Sequence, residues 1–132
     1  MRRTSKQSIA LTVLLAAGAT LASAGPALAR DRGNGVTANG QCSAGATWKL
    51  KAKPDDGGRI EVEFEVDSNH AGQSWAVSLR DNGDRFFAGH RTTTQPSGSL
   101  SVHRLTANRA GNDVIRARAT HGSQTSQGLV TL

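Results

Sequence analysis

Two neighbouring runs of strictly alternating residues constrain the fold of this chain more than any other feature. Apolar residues alternate with lysines from Trp48 to Lys53, and with acidic residues from Ile60 to Asp67. Because successive side chains of a β-strand point to opposite faces of a sheet, this period of two predicts two half-buried strands. Residues 54–58 between them are proline, aspartate and glycine, a composition that predicts the turn of a β-hairpin.

The charges and the apolar residues of this hairpin predict the same strand pairing. Folding the chain about residues 54–58 places Lys51 opposite Glu61 on the outer face and Leu50 opposite Val62 on the inner face. A shift by one residue would bring every side chain to the wrong face, so the register is strongly specified. We therefore expect an antiparallel sheet with one buried and one solvated face.

The period of two continues towards the C-terminus, with turn residues between the predicted strands. The inward residues predicted for these strands are Trp75, Val77 and Leu79; Phe86 and Ala88; Leu100 and Val102; and Ile115, Ala117 and Ala119. Residues 129–132 are predicted to form the last strand. Asn82-Gly83 predicts a type I′ turn, because both residues tolerate the positive φ that this turn needs. Residues 121–127 are predicted to form a polar loop.

No segment after residue 46 has a helical period, so the pattern predicts an all-β fold. The spacing of the strands is typical of an immunoglobulin-like antiparallel β-sandwich of about seven strands, and a small β-barrel is the alternative. Trp75, on the third predicted strand, stands where such sandwiches often place a core tryptophan. The chain has no tyrosine, so the tyrosine corner of such folds is missing.

The N-terminal segment has the pattern of an export signal. Three basic residues precede an uncharged apolar run, and Ala27 and Ala29 stand at the −3 and −1 positions of a cleavage site. This predicts a cleavable signal peptide over residues 1–29, cut between Ala29 and Arg30, with a cut after Ala24 as the alternative. The run is shorter than the roughly 20 apolar residues of a membrane-spanning helix. We expect a secreted, extracellular protein that is not attached to a membrane after cleavage.

The remaining chain divides into two parts. Residues 30–46 are rich in glycine and asparagine and are predicted to be a flexible leader, and residues 47–132 form the sandwich domain. Of the formal net charge of +6, three positive charges lie in the signal peptide, and the rest of the chain carries ten acidic residues. This balance does not favour nucleic acid as a partner.

Cys42 is the only cysteine of the chain, which is unusual for an exported protein. Three interpretations remain open: a free buried thiol, a Cys42-linked dimer, and the remaining half of an ancestral pair. Catalysis by the thiol is not expected, because Gln41 and Ser43 supply no basic group that would lower its pKa.

No constellation of residues predicts catalysis or metal binding. The acidic residues of the strand at 59–67 alternate along one flat face opposite lysines, which favours a solvated, charge-paired surface over a calcium site. Residues 81–84 resemble a fragment of a calcium loop but lack its later ligands. The four histidines are scattered, and no Gly-x-Ser-x-Gly motif is present. We predict no catalytic residues, no cofactor and no bound metal, and therefore no enzyme.

Several framework and turn motifs carry a resemblance to a known group of proteins. They are Arg59–Asp67, Gly72–Trp75, Arg91–Thr93 with Pro96–Gly98, and Ala107–Gly111 leading into Ile115. In these motifs the chain resembles small secreted actinobacterial proteins that have an immunoglobulin-like domain and no assigned activity. The resemblance implies a disulfide from an early cysteine to the last strand region. Cys42 matches the early one, but residues 122–128 contain no cysteine.

Phe87 is the candidate for partner binding. If Phe86 faces the core opposite Leu79, alternation sends Phe87 outward on a face with Arg85 and Arg91. An exposed aromatic beside arginines has the composition of a recognition patch. Two other interpretations are that Phe87 covers the edge of the sheet, and that a β-bulge turns it inward.

These observations predict a secreted, non-enzymatic β-sandwich module that binds an extracellular protein or the cell surface. The alternative is a secreted inhibitor of an extracellular hydrolase, in which an exposed rigid loop such as Thr92 to Gly98 enters the cleft of the target. A small hydrolase is the third hypothesis, and no motif supports it.

Overall fold

A computed structural model describes residues 35–132 and the backbone of residues 29–31, and in this part of the chain it shows nine β-strands. They are β1 (Ala29–Asp31), β2 (Gly35–Gln41), β3 (Thr47–Asp55), β4 (Arg59–Asp67), β5 (Ser74–Asp81), β6 (Asp84–Thr92), β7 (Ser99–Ala107), β8 (Val114–His121) and β9 (Gln124–Thr131). Residues 1–28 of the predicted signal peptide lie outside the described residues. The predicted cleavage bond between Ala29 and Arg30 lies within β1.

The strands form two antiparallel sheets, as the alternating pattern predicts. The first has the order β1-β2-β3-β4-β7, and the second has the order β6-β5-β8-β9. Their inner faces form one core, in which Trp75, Phe64, Leu50, Ile60 and Leu79 are fully buried. The described residues therefore form an all-β fold with the layers of a β-sandwich, and none of them belongs to a helix that is long and apolar enough to cross a membrane.

The β3–β4 hairpin has the predicted faces but not the predicted register. Lys51 lies opposite Glu63 and Leu50 opposite Phe64, two residues from the expected partners. The reason is the turn, which comprises only residues 56–58, because the strands remain paired as far as Asp55 and Arg59. A shift by two residues keeps each side chain on its face, so hydrophobic alternation cannot detect it.

Strand β2 lies within the segment predicted as a flexible leader, so that prediction is wrong for residues 35–41. The strand pairs with β3, and Val36, Ala38 and Gly40 lie opposite residues that face the core. Only the short strand β1 lies outside β2, and the large side chains of β3 fill the core beside it, so β2 needs few apolar side chains of its own. The low apolar content of the segment is therefore compatible with an ordered strand.

Strand β9 begins at Gln124, although the sequence predicts a loop as far as residue 127. The inward positions of β9 before Val130 hold Ser126 and Gly128, and Trp48 explains why residue 128 is a glycine. A Cβ atom added to Gly128 would lie 2.6 Å from the Trp48 ring, and one added to Gly40 would lie 2.9 Å from it. The indole thus occupies space on both sheets that side chains would otherwise fill.

Candidate functional site

The predicted recognition patch depends on the pairing of β6 with β5, and that pairing contains a β-bulge. Arg80 lies opposite Arg85, but the next residue of β5, Leu79, lies opposite Phe87. Phe86 is the extra residue, so the predicted Phe86–Leu79 pair is wrong. Because cross-strand partners share a face, Phe87 lies on the inner side of the sheet, with Leu79, and Arg85 lies on the outer side.

Phe87 closes the gap between the edges of the two sheets. The guanidinium of Arg91 lies 5.0 Å from the centre of the Phe87 ring, and that of Arg104, on β7, lies 4.5 Å from it. Phe87 is half-buried and packs against the core. The structure therefore matches the interpretation in which a bulge turns Phe87 inward at the sheet edge, and it does not bring Arg85, Phe87 and Arg91 together on one face.

A different group of arginines covers the outer face of the second sheet. We call this surface the arginine face: the outward side chains of β5, β6, β8 and β9, with the exposed arginines Arg80, Arg85, Arg116 and Arg118. Arg80 lies between two of them, directly opposite Arg85 on one side and Arg116 on the other. The acidic residues of these strands are Asp81 and Asp84. Asp81 is buried, and Asp84 binds Arg109 at 2.8 Å.

The outer face of the first sheet has the opposite character, because its charges are paired. Lys49 lies 3.6 Å from Glu65, and Glu61 lies 3.4 Å from Lys53 and 2.8 Å from His103. The hydrogen bond with His103, with help from Lys53, lowers the pKa of Glu61 below its ordinary value. In the described part of the chain, none of the four arginines on the arginine face has such an ion pair.

A groove of about 530 Å³ lies at one end of this first face. Its polar side chains include Asn39, Gln41, Thr47, Asp67 and Ser99, and the paired Lys49 and Glu65 lie beside them. The groove therefore combines one lysine–glutamate pair with the further carboxylate of Asp67, and it contains no row of like charges. Of the two sheets, only the second presents charges of one sign.

Two buried carboxyl groups lie beside the turn at residues 82–83. Asp81 and Asp113 are each 1% exposed, and the Thr106 hydroxyl donates a hydrogen bond of 3.2 Å to Asp81. Burial, together with the charge of Asp113, raises the pKa of Asp81 above its ordinary value. The described residues contain no group of three or more histidine, cysteine or acidic side chains that could hold a metal ion. Asn82 Nδ2 donates a hydrogen bond of 3.4 Å to Asp113, so this carboxyl connects the turn at residues 82–83 with the segment before β8.

Cys42 lies in the core after β2, and its backbone N–H donates to the Ala46 carbonyl at 2.7 Å. Burial raises the pKa of the thiol to about 11. Because the thiolate is the species that reacts, this environment suppresses both thiol chemistry and exchange with another disulfide.

The backbone turn predicted at Asn82-Gly83 is confirmed, with φ angles of 49° and 89°.

Comparisons with models of known protein families, with curated proteins and with solved structures gave no match to this chain.

Proposed function

We propose that the protein is a secreted, non-enzymatic binding module, and that its arginine face binds an anionic polymer of the cell surface. The observation that carries this proposal is the row Arg85–Arg80–Arg116, three like charges directly opposite one another on neighbouring strands. Like charges in such positions destabilise a sheet by a few tenths of a kcal/mol or more per pair. A bound polyanion offsets that repulsion and releases its own counterions.

An immunoglobulin-like architecture is the fold type that we propose for this module. Its support is the strand order, because β4 pairs with β7 while β5 lies between β6 and β8. These neighbours correspond to the B–E and C′–C–F–G strands of immunoglobulin-related sandwiches. Trp75 is buried on β5, the strand in the position of C, where such folds carry a core tryptophan. The proposed kinship with small secreted actinobacterial proteins rests on the motifs given above.

The test of this function is binding of the purified protein to isolated cell envelopes of the producing organism. Replacing Arg80 and Arg116 by glutamine is expected to weaken binding at least tenfold at physiological salt. Replacing Lys49 and Lys53 by glutamine removes the same charge from the first sheet and is the matched control. Equal loss in both double variants would contradict a role for the arginine face and leave only net charge as the cause.

Export is tested separately, by expressing the full chain in its native host. The mass of the protein in the medium is expected to equal that of a chain that begins at Arg30. A full-length mass, or retention of the protein in the cells, would contradict secretion.

A second candidate function is inhibition of an extracellular hydrolase, and the braced loop at Thr92–Gly98 favours it. Thr94 N–H donates to the Ser99 carbonyl at 2.9 Å, and Gly98 N–H donates to the Thr94 carbonyl at 2.8 Å. Thr93 is buried, whereas residues 94–97 are exposed. A rigid exposed loop of this kind inserts into a cleft with little loss of entropy. Inhibition of secreted hydrolases by the purified protein, abolished by cleavage within residues 94–97, is the expected result if this function is correct.

A further inference from the structure

The arginine face contains a shallow depression whose floor consists of small side chains. Its volume is about 240 Å³, and Ala76, Ser78 and Ala88 form the floor where the strands β5 and β6 meet. Three larger side chains, His90, Arg118 and Thr120, line its border. The depression exists because the outward positions in the middle of the sheet carry one or two side-chain heavy atoms, while those around them carry long polar groups.

The strand register fixes which groups surround the floor. Ser78 lies between Ala88 on β6 and Arg118 on β8, and Ala76 lies between His90 and Thr120. The row Arg85–Arg80–Arg116 comes next along the strands, two residues from Ser78 on β5. Nitrogen and hydroxyl donors therefore border the depression on several sides, and strands about 4.8 Å apart bring them within reach of one small group.

We infer that this depression binds a phosphate group, and that the polymer on the arginine face is a chain of phosphate-bridged sugars or polyols. The inference rests on the proposed function and names the ligand of the same face. A phosphate group has acceptor oxygens pointing in several directions and suits arginine donors from different strands. A carboxylate has two oxygens in one plane and satisfies fewer of them.

Nucleic acid is disfavoured by the side chains that the face lacks. Proteins that bind single strands stack the bases on aromatic residues. The outward positions of β5, β8 and β9 hold no phenylalanine, tyrosine or tryptophan, and the two phenylalanines of β6 pack against the core. The imidazole of His90 is a single ring at the border of the depression and does not form a row of stacking partners. A polymer whose phosphates are joined by slim, saturated units lies on such a sheet without needing any stacking partner.

The experiment measures binding of long-chain inorganic polyphosphate to the purified protein by isothermal titration calorimetry at physiological salt. Ala88→Leu fills the depression without changing the charge, and Thr131→Leu places the same side chain elsewhere on the same face as the control. We expect Ala88→Leu to weaken binding at least tenfold and Thr131→Leu to change it less than twofold. Backbone amide resonances of Ser78 and Ala88 are expected to shift on titration of the wild type. Both variants must have the same circular dichroism spectrum as the wild type, which shows that they are folded.

The outcomes separate this inference from the proposed function. In one outcome, polyphosphate binding is kept by Ala88→Leu and lost by the Arg80→Gln, Arg116→Gln double variant. This result would overturn the depression as the phosphate site and would support the arginine face as the binding surface. Polyglutamate binding as tight as polyphosphate would overturn the preference for phosphate. Single-stranded DNA binding as tight as polyphosphate would assign the face to nucleic acid and overturn the inferred polymer. No binding of any polyanion by the wild type would overturn both proposals.

Discussion

Leu79 and Phe87 lie directly opposite each other on β5 and β6, because β6 holds one more residue than β5 between this pair and the turn. Leu79 is fully buried, while Phe87 lies at the margin of the core between two guanidinium groups. The extra residue, Phe86, also packs against the core. A single bulge thus converts the predicted recognition patch into a closure of the sandwich edge.

The position of Phe87 predicts a measurable contribution to stability. Phe87→Ala removes a half-buried ring and two cation–π contacts, so we expect the free energy of unfolding to fall by about 2 kcal/mol. Phe87→Leu keeps most of the apolar contact and should lose about half as much. Urea denaturation followed by tryptophan fluorescence measures both variants. A loss below about 0.5 kcal/mol for alanine would show that the ring does not close the edge.

The arginine row predicts that removing a charge increases stability. Arg116→Gln relieves repulsion from Arg80, and we expect a gain of about 0.5 kcal/mol in the free energy of unfolding at low salt. The gain should vanish in 1 M salt, where the screening length is about 3 Å. Lys49→Gln is the control, and it should lower stability slightly because Lys49 faces Glu65. Destabilisation by Arg116→Gln at low salt would contradict the row of uncompensated charges.

The raised pKa of Asp81 predicts a pH dependence of stability. The ordinary pKa of an aspartate carboxyl, which applies to the unfolded chain, is 3.8. The folded protein therefore keeps Asp81 protonated up to a higher pH than the unfolded chain does. The stability contributed by the protonated carboxyl is therefore full below the ordinary pKa and is lost as the pH rises through the raised pKa. Asp81→Asn removes this titration, so its stability relative to the wild type should be greater at pH 7 than at pH 3.

Thermal unfolding at several pH values measures this difference. Asp84→Asn is the control, since Asp84 is exposed and binds Arg109 at the surface. A stability difference between wild type and Asp81→Asn that stays constant from pH 3 to pH 7 would refute the raised pKa.

The buried thiol predicts slow chemistry at Cys42. With a pKa of about 11, only a minute fraction of the thiol ionises near neutral pH, so we expect a disulfide reagent to label it far more slowly in the folded protein than in denaturant. The same property predicts a monomer on a non-reducing gel. Rapid labelling of the folded protein would show that the thiol is accessible, and it would support the interpretation of a Cys42-linked dimer.

Sequence alternation predicted the all-β fold because burial on one face of a strand leaves a period of two. It located the inward residues of β3, β4, β5, β7 and β8 correctly. It could not fix the β3–β4 register, since moving Lys51 from Glu61 to Glu63 preserves both charge and face. It also missed the Phe86 bulge, because an added residue changes parity without leaving a compositional mark.

The arginine face could not be predicted from the sequence for a different reason. Its four arginines come from three strands, and only the order β6-β5-β8 brings Arg85, Arg80 and Arg116 into one row. Their separation along the chain hides this proximity. The net charge of the whole sequence is a sum over both sheets. It therefore could not show that one face pairs lysines with glutamates while the other carries a row of arginines.

Trp48 makes residues on β2 and β9 dependent on one another, although these strands belong to different sheets. Its indole leaves room for hydrogen atoms alone at Gly40 and Gly128, so the three positions share one volume. A lineage that enlarged residue 128 would have to shrink residue 48 in compensation. Substitutions at these sites should consequently be inherited together, with a large ring always accompanied by two glycines.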